Sequence, residues 1–232
     1  MLEPMDIDYA SITELDLSCK ELEVLPDLSI YINLQYLDCK GNKLTSLNHL
    51  PDSLIELYCS NNKLTSLDNL PASLEYLDCR VNNLISLNNL PSSLKFLECG
   101  YNNIISLDNL PINLESLNCS DNQISYLDNL PSNLKSLNCS NNKLTLLDNL
   151  PPNLKELYCW NNQLTTLDNL PPNLQILYGK NNKITSLDNL PPNLEILYCG
   201  NNPFTYDFVP TLENIRNYNA GHHVSPPYQV VN

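Results

Sequence analysis

This 232-residue sequence is poor in the residues from which phosphate-binding loops and catalytic sites are built. It has only five glycines, and none belongs to a glycine-rich phosphate loop. Its three histidines, His49, His222 and His223, show no pattern of nucleophile, base and orienting residue. The adjacent pair His222 and His223 favours a solvated tail over a metal site. We therefore predict no enzymatic activity, no cofactor and no metal.

Basic residues are also scarce. Lys and Arg number 12 against 26 Asp and Glu, which gives a formal net charge of -14 at pH 7. A surface of this sign repels nucleic-acid phosphates and anionic membranes. No apolar run approaches the roughly 18 residues of a membrane span. Residues 1–11 hold three carboxylates and no basic residue, unlike a signal peptide. We expect neither nucleic acid nor a membrane as a partner.

What the sequence has instead is a 20-residue repeat that runs without insertion from Leu34 to Asn202. Each unit reads Leu-x-x-Leu-x-Cys-x-x-Asn-x-Leu-x-x-Leu and ends on Leu-Pro before the next unit. A fixed period of this length predicts a solenoid, because one unit is too small to bury its own apolar residues and must stack on its neighbours. Leu37 and Cys39 alternate with polar or aromatic residues, which predicts a short strand with one buried face. We count ten such strands, from Leu15-Asp16-Leu17 to Leu197-Tyr198-Cys199, in one parallel sheet.

The recurring asparagines and prolines are interpreted as structural. The Asn that follows each strand, from Asn42 to Asn202, can both donate and accept, so it can satisfy backbone groups in the turn and bridge adjacent repeats. The segments between strands, such as residues 167–173, contain Pro and Asn and are too short for a regular helix. The residue before each Pro favours extended geometry. We expect turns or polyproline-like structure there.

These residues resemble the 20-residue leucine-rich repeat in which Leu-Pro follows the convex turn, a subclass known from secreted bacterial effectors. The array, rich in Asn and containing Cys, is also similar to those of large DNA viruses and some protists. The resemblance covers residues 34–202. It implies a leucine-rich repeat solenoid, a horseshoe with a parallel β-sheet on its concave face, extended or turn segments on its convex face and little helix. It also implies protein binding through the concave sheet.

The resemblance does not carry over the ubiquitin-ligase activity of some effectors, which resides in a C-terminal domain with a catalytic Cys. Only about 30 residues follow Asn202 here, and none is a cysteine. Cys also replaces the Val or Leu that effector repeats usually carry in the strand, which departs from their pattern.

Eight of the nine cysteines share one register of the repeat, while Gly179 interrupts the series and Cys19 lies off register. Side chains that point in parallel into the core, at 20-residue intervals, favour free buried thiols over disulfides or metal ligands. Buried free thiols suit a reducing compartment. We expect a cytoplasmic location, with the cytoplasm of a host cell as one option. The eight are Cys39, Cys59, Cys79, Cys99, Cys119, Cys139, Cys159 and Cys199.

Because the recurring positions build the scaffold, a partner should be recognised by the positions that vary on the exposed sheet face. Exposed aromatic residues with apolar neighbours are typical of interface anchors. Tyr also simply suits a half-exposed strand and packs across it, which stays open as an alternative. The strongest candidates surround Trp160, the only tryptophan. The predicted partner-binding residues are Tyr158, Trp160, Ile176, Tyr178, Ile196, Tyr198, Tyr36, Tyr58, Tyr76 and Phe96.

Carboxylates concentrate in three places. Eight lie in the first 27 residues against Lys20 alone, and a row of Asp recurs at one convex position between Asp68 and Asp188. Both patterns are interpreted as features that increase solubility and favour turns. The alternatives are a basic partner at the N-terminal end and weak calcium binding along the row of Asp. On the sheet face, Asp38 is expected to face Glu56 or Asp78 across strands, with these carboxylates open to solvent.

We divide the chain into an N-terminal cap with a first atypical repeat (1–33), the tandem repeats (34–202) and a C-terminal cap or tail (203–232). The tail could hold a degenerate repeat at Leu212-x-x-Ile215, with Asn217 in the ladder position. It is expected to cap the core, although folding over the aromatic patch stays open.

The predicted function is a non-catalytic protein–protein interaction module that binds a protein partner on the concave face. The alternatives are a structural or self-assembling repeat protein and an accessory substrate-recognition subunit of an enzyme complex. A monomer is expected, with self-association as an option.

Overall fold

A computed structural model describes residues 8–222 and residue 224, and its main feature is one parallel sheet of ten short strands. The strands pair in chain order from β1 to β10. Successive strands are 20 residues apart, except that Leu15 pairs with Leu37 across 22 residues. The ten predicted strands are confirmed, with the first and last shifted by one residue. Their bounds are β1 Glu14–Asp16, β2 Tyr36–Asp38, β3 Glu56–Tyr58, β4 Tyr76–Asp78, β5 Phe96–Glu98, β6 Ser116–Asn118, β7 Ser136–Asn138, β8 Glu156–Tyr158, β9 Ile176–Tyr178 and β10 Ile196–Tyr198.

The core is a continuous column of leucines that runs through every repeat. In the repeat that begins at Leu34, this residue, Leu37, Cys39 and Leu44 are completely buried and Leu47 nearly so. Each fully buried leucine side chain contributes about 1.5–3 kcal/mol relative to an exposed one. Because equivalent leucines of adjacent repeats stack on one another, the repeats stabilise each other rather than themselves.

The Asn ladder is confirmed, and Asn62 shows its geometry. Its Nδ2 donates to the carbonyl oxygens of Cys59 at 3.0 Å and of Cys39, one repeat earlier, at 3.1 Å. Its Oδ1 accepts from the backbone N–H of Leu44 at 3.0 Å. One buried amide therefore satisfies backbone groups of two repeats, which fixes the turn and ties the repeats together.

The segments between strands are turns, as predicted, and the structure assigns no helix between residues 34 and 202. Two positions in most repeats have a positive φ, one just after the strand and one just before Leu-Pro, as at Asn61 (54°) and Asn69 (62°). Asn tolerates this left-handed region better than most residues. His49, which replaces Asn before Leu-Pro, adopts the same geometry with φ 63°.

All nine cysteines lie among the described residues and are free, as predicted. The eight in register are buried, and Cys19 is exposed. Gly179 occupies the eighth position of this column, where an added Cβ would approach Cys199 Sγ at 3.1 Å and Leu167 Cδ1 at 3.2 Å.

The residues that could have formed a degenerate repeat at the C-terminus instead form helix α1 (Leu212–Asn219). Thr211 caps this helix by accepting from the backbone N–H of Asn214 at 3.2 Å. Ile215 is fully buried against the last repeat. Arg216 Nη2 donates to the carbonyl oxygen of Leu194 at 2.8 Å, and Asn219 Nδ2 donates to that of Leu187 at 2.9 Å.

Helix α1 therefore packs against the end of the core and not on the sheet face. A capped start and an i, i+3 apolar pair favour a helix over a further strand. At the other end, a 3₁₀-helix (Tyr9–Ser11) precedes β1. Residues 1–7, 223 and 225–232 of the predicted terminal segments lie outside the described residues, so the three-part division of the chain stays a prediction.

Candidate functional site

The exposed face of the sheet is built from the first and third residues of each strand, which point away from the buried central leucine. Because each repeat has 20 residues, equivalent side chains lie directly opposite one another on adjacent strands. Tyr158 pairs with Tyr178, and Tyr178 with Tyr198. Variation at these two positions, and at the residue two positions after each strand, such as Trp160, therefore sets the chemistry of the concave surface.

Four aromatic side chains meet at the C-terminal end of this face, and we call them the C-terminal cluster: Tyr158, Trp160, Tyr178 and Tyr198. The ring centroids of Tyr158 and Tyr178 are 5.2 Å apart, and those of Tyr178 and Tyr198 are 4.7 Å apart. Trp160 packs edge-on against Tyr158 at 5.9 Å and 88°. These separations suit favourable aromatic pairs. Tyr198, at the end of the row, is 57% exposed.

The C-terminal cluster lines a shallow cavity of about 570 Å³ together with Lys180 and Asn181. Ile176 and Ile196, also predicted to bind a partner, lie on the same face at the first position of their strands. Ile176 is half-buried and Ile196 is 37% exposed, and neither lines the cavity. The arrangement offers a preformed apolar surface with one basic and one amide side chain at its border.

The other four predicted residues form a separate N-terminal cluster of Tyr36, Tyr58, Tyr76 and Phe96. Ring centroids are 5.1 Å apart for Tyr36 and Tyr58, 4.9 Å for Tyr58 and Tyr76, and 6.4 Å for Tyr76 and Phe96. Strands β6 and β7 separate the two clusters, and they carry small polar residues on this face. The ten predicted residues are thus brought together on one face but in two groups.

The expectation that Asp38 and Asp78 face solvent is wrong, since they are only 5% and 3% exposed. The register places Tyr58 directly opposite both of them, so its ring lies between the two carboxylates. Asp38 is 2.8 Å from Lys40 Nζ, and Asp78 accepts two hydrogen bonds from the Arg80 guanidinium. Neighbouring rings and these ion pairs exclude water from both carboxylates.

A hydrogen-bonded network beside the N-terminal cluster was not foreseen from the sequence. Glu98 Oε2 accepts from Asn118 Nδ2 at 2.8 Å and lies 4.0 Å from Arg80 Nε. Burial raises the pKa of Glu98 above its usual value. The pKa of Tyr76 is raised as well, first by burial and then by the carboxylates of Asp78 and Glu98. Aligning the repeats in register would have placed these residues side by side.

A second exposed apolar surface, away from the sheet face, also escaped sequence reasoning. Ile85 and Ile105 occupy the same position in two adjacent repeats. In the following two repeats, Tyr126 and Leu146 occupy the position one residue later. All four are exposed. Most other repeats carry Thr or Ser at these positions. The signal was therefore present as a departure from the consensus.

Among the described residues, none of the helices is long and apolar enough to cross a membrane. Within the same residues, no group of three or more His, Cys, Asp or Glu side chains is placed to hold a metal ion.

No protein-family model and no curated protein sequence match the chain. Solved structures do match it. YopM from Yersinia enterocolitica is 42% identical over 79% of this chain and 40% of its own, with a TM-score of 0.72. The functional domain of InlJ from Listeria monocytogenes, which includes a cysteine ladder, is 33% identical over 85% of this chain and 46% of its own, with a TM-score of 0.75. The chain thus spans less than half the length of these two structures.

A third structure, the LRR domain of a Shigella effector, is 31% identical over 75% of this chain and 71% of its own, with a TM-score of 0.52. The buried leucines and the Asn ladder explain why the spacing of the repeats in this chain is fixed. The chain therefore belongs to the leucine-rich repeat proteins.

Proposed function

We propose that this protein is a non-catalytic protein–protein interaction module that holds a protein partner on its concave sheet. The observation that carries this proposal is the C-terminal cluster, in which three tyrosines and the only tryptophan surround a shallow cavity of about 570 Å³. Trp and Tyr dominate the residues whose truncation costs most at protein interfaces.

The cluster is also rigid before any partner arrives. Tyr158, Tyr178 and Tyr198 stand on hydrogen-bonded strands, and their rings already pack at 4.7–5.2 Å. Binding therefore freezes few additional rotamers, which reduces the entropic cost of association. A preorganised aromatic surface suits a partner that offers apolar side chains.

We infer a cytoplasmic site of action, with a host cell as one option. Eight buried thiols are compatible with a reducing compartment, and one similar structure is the LRR domain of a Shigella effector. Within the family we place the chain in the Leu-Pro-containing subclass, because eight successive repeats end on Leu-Pro. The excess of carboxylates argues against nucleic acid as the partner.

The test is affinity capture from eukaryotic cell lysate with three baits: the unmodified chain, the double variant Tyr158→Ala/Trp160→Ala, and the control Tyr126→Ala/Leu146→Ala. The control removes an exposed aromatic and an exposed aliphatic side chain from outside the sheet face. We expect a protein that is retained by the unmodified chain and the control but lost with the first variant. Equal recovery on all three baits would refute the proposal.

Self-assembly is a second candidate, favoured by the exposure of Ile196 and Tyr198 on the last strand of the sheet. Apolar side chains on a terminal strand are a common contact between copies of a chain. Sedimentation velocity from 1 to 200 μM separates the candidates. A mass that rises with concentration, and that falls back in Ile196→Ser/Tyr198→Ser, would support self-assembly, whereas a constant monomer mass would exclude it.

A further inference from the structure

The concave face carries unequal charge along its length. We count the strand residues of this face and the residue two positions after each strand. On the first five strands these positions hold six carboxylates and two cations. The carboxylates are Glu14, Asp16, Asp38, Glu56, Asp78 and Glu98, and the cations are Lys40 and Arg80. On the last five strands only Glu156 and Lys180 are charged. The acidic half holds the N-terminal aromatic cluster, and the neutral half holds the C-terminal one.

We propose that the partner segment carries Lys or Arg side chains over strands β2–β5 and apolar side chains over strands β8–β10. The proposal rests on the proposed function, because it assigns the chemistry of the partner held on that same face. It commits to one occupant, a protein segment whose basic and apolar residues are separated along the chain.

The two cations of the acidic half are already engaged and do not neutralise the rest. Lys40 is held by Asp38 at 2.8 Å, and Arg80 is held by Asp78 at 2.8 and 2.9 Å. Within the described part of the chain, the one cation that pairs with Glu98 is Arg80, whose Nε lies at the longer distance of 4.0 Å. An excess of four carboxylates therefore remains on the first five strands, two from β1 and two from β2–β5, and a basic partner would complement it.

The environment of the acidic groups supports this assignment. Burial raises the pKa of Glu98, so the ionised form is held at a cost that a partner cation would offset. The pKa of Tyr58 is raised by burial and then by its hydrogen bond to Glu56, whose Oε2 lies 3.1 Å from the phenol oxygen. Rings of Tyr58 and Tyr76 beside carboxylates offer a cation both a π-face and a counter-charge.

The geometry sets the spacing of the partner residues. Tyr58 on β3 and Tyr178 on β9 are six strand steps apart, which is roughly 29 Å at about 4.8 Å per step. An extended chain covers about 3.3 Å per residue, so about nine residues separate the basic and apolar groups. The serines and asparagines of β6 and β7 would lie beneath the intervening residues without demanding large side chains.

A simpler explanation must be excluded, namely that any basic segment binds an acidic protein anywhere on its surface. The chain provides the control, because Asp128 and Asp148 are exposed carboxylates outside the sheet face. The pair Glu56→Gln/Glu98→Gln and the pair Asp128→Asn/Asp148→Asn remove the same charge. Gln at positions 56 and 98 retains an oxygen that can accept the existing hydrogen bonds from Tyr58 and Asn118.

The experiment selects binders from a random 20-residue peptide display library in 0.15 M salt. The baits are the unmodified full-length chain, both charge variants and the Tyr158→Ala/Trp160→Ala variant, each verified as folded by circular dichroism. We expect peptides with Lys or Arg separated by about nine residues from Trp, Leu or Phe. A synthetic copy should lose at least tenfold in affinity with Glu56→Gln/Glu98→Gln and less than twofold with Asp128→Asn/Asp148→Asn. A scrambled copy, with its basic and apolar residues interleaved, should bind at least tenfold more weakly.

The failures are distinguishable. Selected peptides that lack basic residues, yet depend on Tyr158 and Trp160, would overturn the charge assignment and leave the proposed function standing. Equal losses of affinity with both charge variants, or equal binding of the scrambled peptide, would also overturn the charge assignment, because the binding would then be non-specific electrostatic attraction. Peptides that bind the Tyr158→Ala/Trp160→Ala variant with unchanged affinity would contradict both the inference and the proposed binding at the C-terminal cluster. A library that yields no binder would overturn the inference, while partner capture would still test the function.

Discussion

Arg80 holds Asp78 in a bidentate ion pair on the sheet face, with Nε 2.9 Å from Oδ1 and Nη2 2.8 Å from Oδ2. The Asp78 side chain is 4% exposed, whereas the arginine side chain is 44% exposed. The pair therefore anchors a solvent-facing cation to a buried anion. Tyr58 lies opposite it on one side and Glu98 on the other.

Replacing Arg80 with Met should destabilise the protein by about 2 kcal/mol, because it leaves the Asp78 carboxylate buried without its counter-charge. Urea unfolding at pH 7 measures the change. The double variant Asp78→Asn/Arg80→Met removes the charge as well and should recover at least half of the loss. A double variant as unstable as the single one would show that the ion pair is not the cause.

Replacing Asn102 with Ala should cost about 3 kcal/mol, because several buried backbone groups lose their partner at once. Its Nδ2 donates to the carbonyl oxygens of Cys79 and Cys99 at 3.1 and 3.0 Å. Its Oδ1 accepts from the backbone N–H of Leu84, in the preceding repeat, at 3.0 Å. The exposed neighbour Asn103 is the matched control, and its replacement with Ala should change stability by less than about 0.5 kcal/mol. Equal effects in denaturant melts would contradict the ladder.

The buried thiols should make the protein unstable at alkaline pH. Burial raises the pKa of Cys39 and of Cys199 from 9.0 to about 12, and raises those of the other ladder cysteines too. The unfolded chain releases these protons above pH 9 while the folded chain retains them. Stability is therefore present in full below pH 9 and falls by about 1.4 kcal/mol per pH unit for each thiol between pH 9 and 12.

Urea midpoints at pH 8, 9 and 10 measure this loss. The variant Cys99→Ala/Cys119→Ala has two fewer buried thiols and should show a shallower pH dependence, although it is less stable at pH 8. An identical pH dependence in the unmodified protein and this variant would show that other groups cause the loss of stability.

At neutral pH, a thiol reagent should react quickly with the exposed Cys19 and reach all nine cysteines after unfolding.

Val81 should be replaceable by Asn with a gain of about 1 kcal/mol. Its φ is 54°, a left-handed geometry that is costly for a β-branched residue, and most other repeats carry Asn there. The mirror change Asn61→Val, where φ is also 54°, should lose a similar amount. Thermal melts of the two variants should shift in opposite directions. A loss at position 81 would mean that Val81 makes contacts that outweigh the strain.

Much of the fold follows from the sequence, because the 20-residue period fixes the pairing of every strand once one pair is placed. Leu37, Cys39 and Asn42 could be assigned to the core and the turn from spacing alone. The burial of Asp38 could not, since it depends on the ring of Tyr58 one strand away and on Lys40. The pattern within one repeat does not show which side chains of the next repeat cover a given residue.

Helix α1 illustrates the same limit, whereas the positions of the aromatic residues do not. The capping Thr211 and the buried Ile215 specify a helix, which the sequence interpretation of a cap with an optional degenerate repeat did not include. The ten candidate residues were placed on one face from their period of two. Their separation into two clusters of different charge also follows from the sequence, because the register places Ser116 and Ser136 between them in the sheet.

The most direct test of the account uses the single tryptophan as a reporter of the concave face. The protein is labelled with 5-fluorotryptophan, so that Trp160 gives the only fluorine resonance from the chain, and a captured partner is added unlabelled. The account predicts that the resonance shifts or broadens in proportion to the bound fraction, because the partner covers the cavity lined by Trp160. A resonance unchanged in position and width at saturation would contradict partner binding at this site.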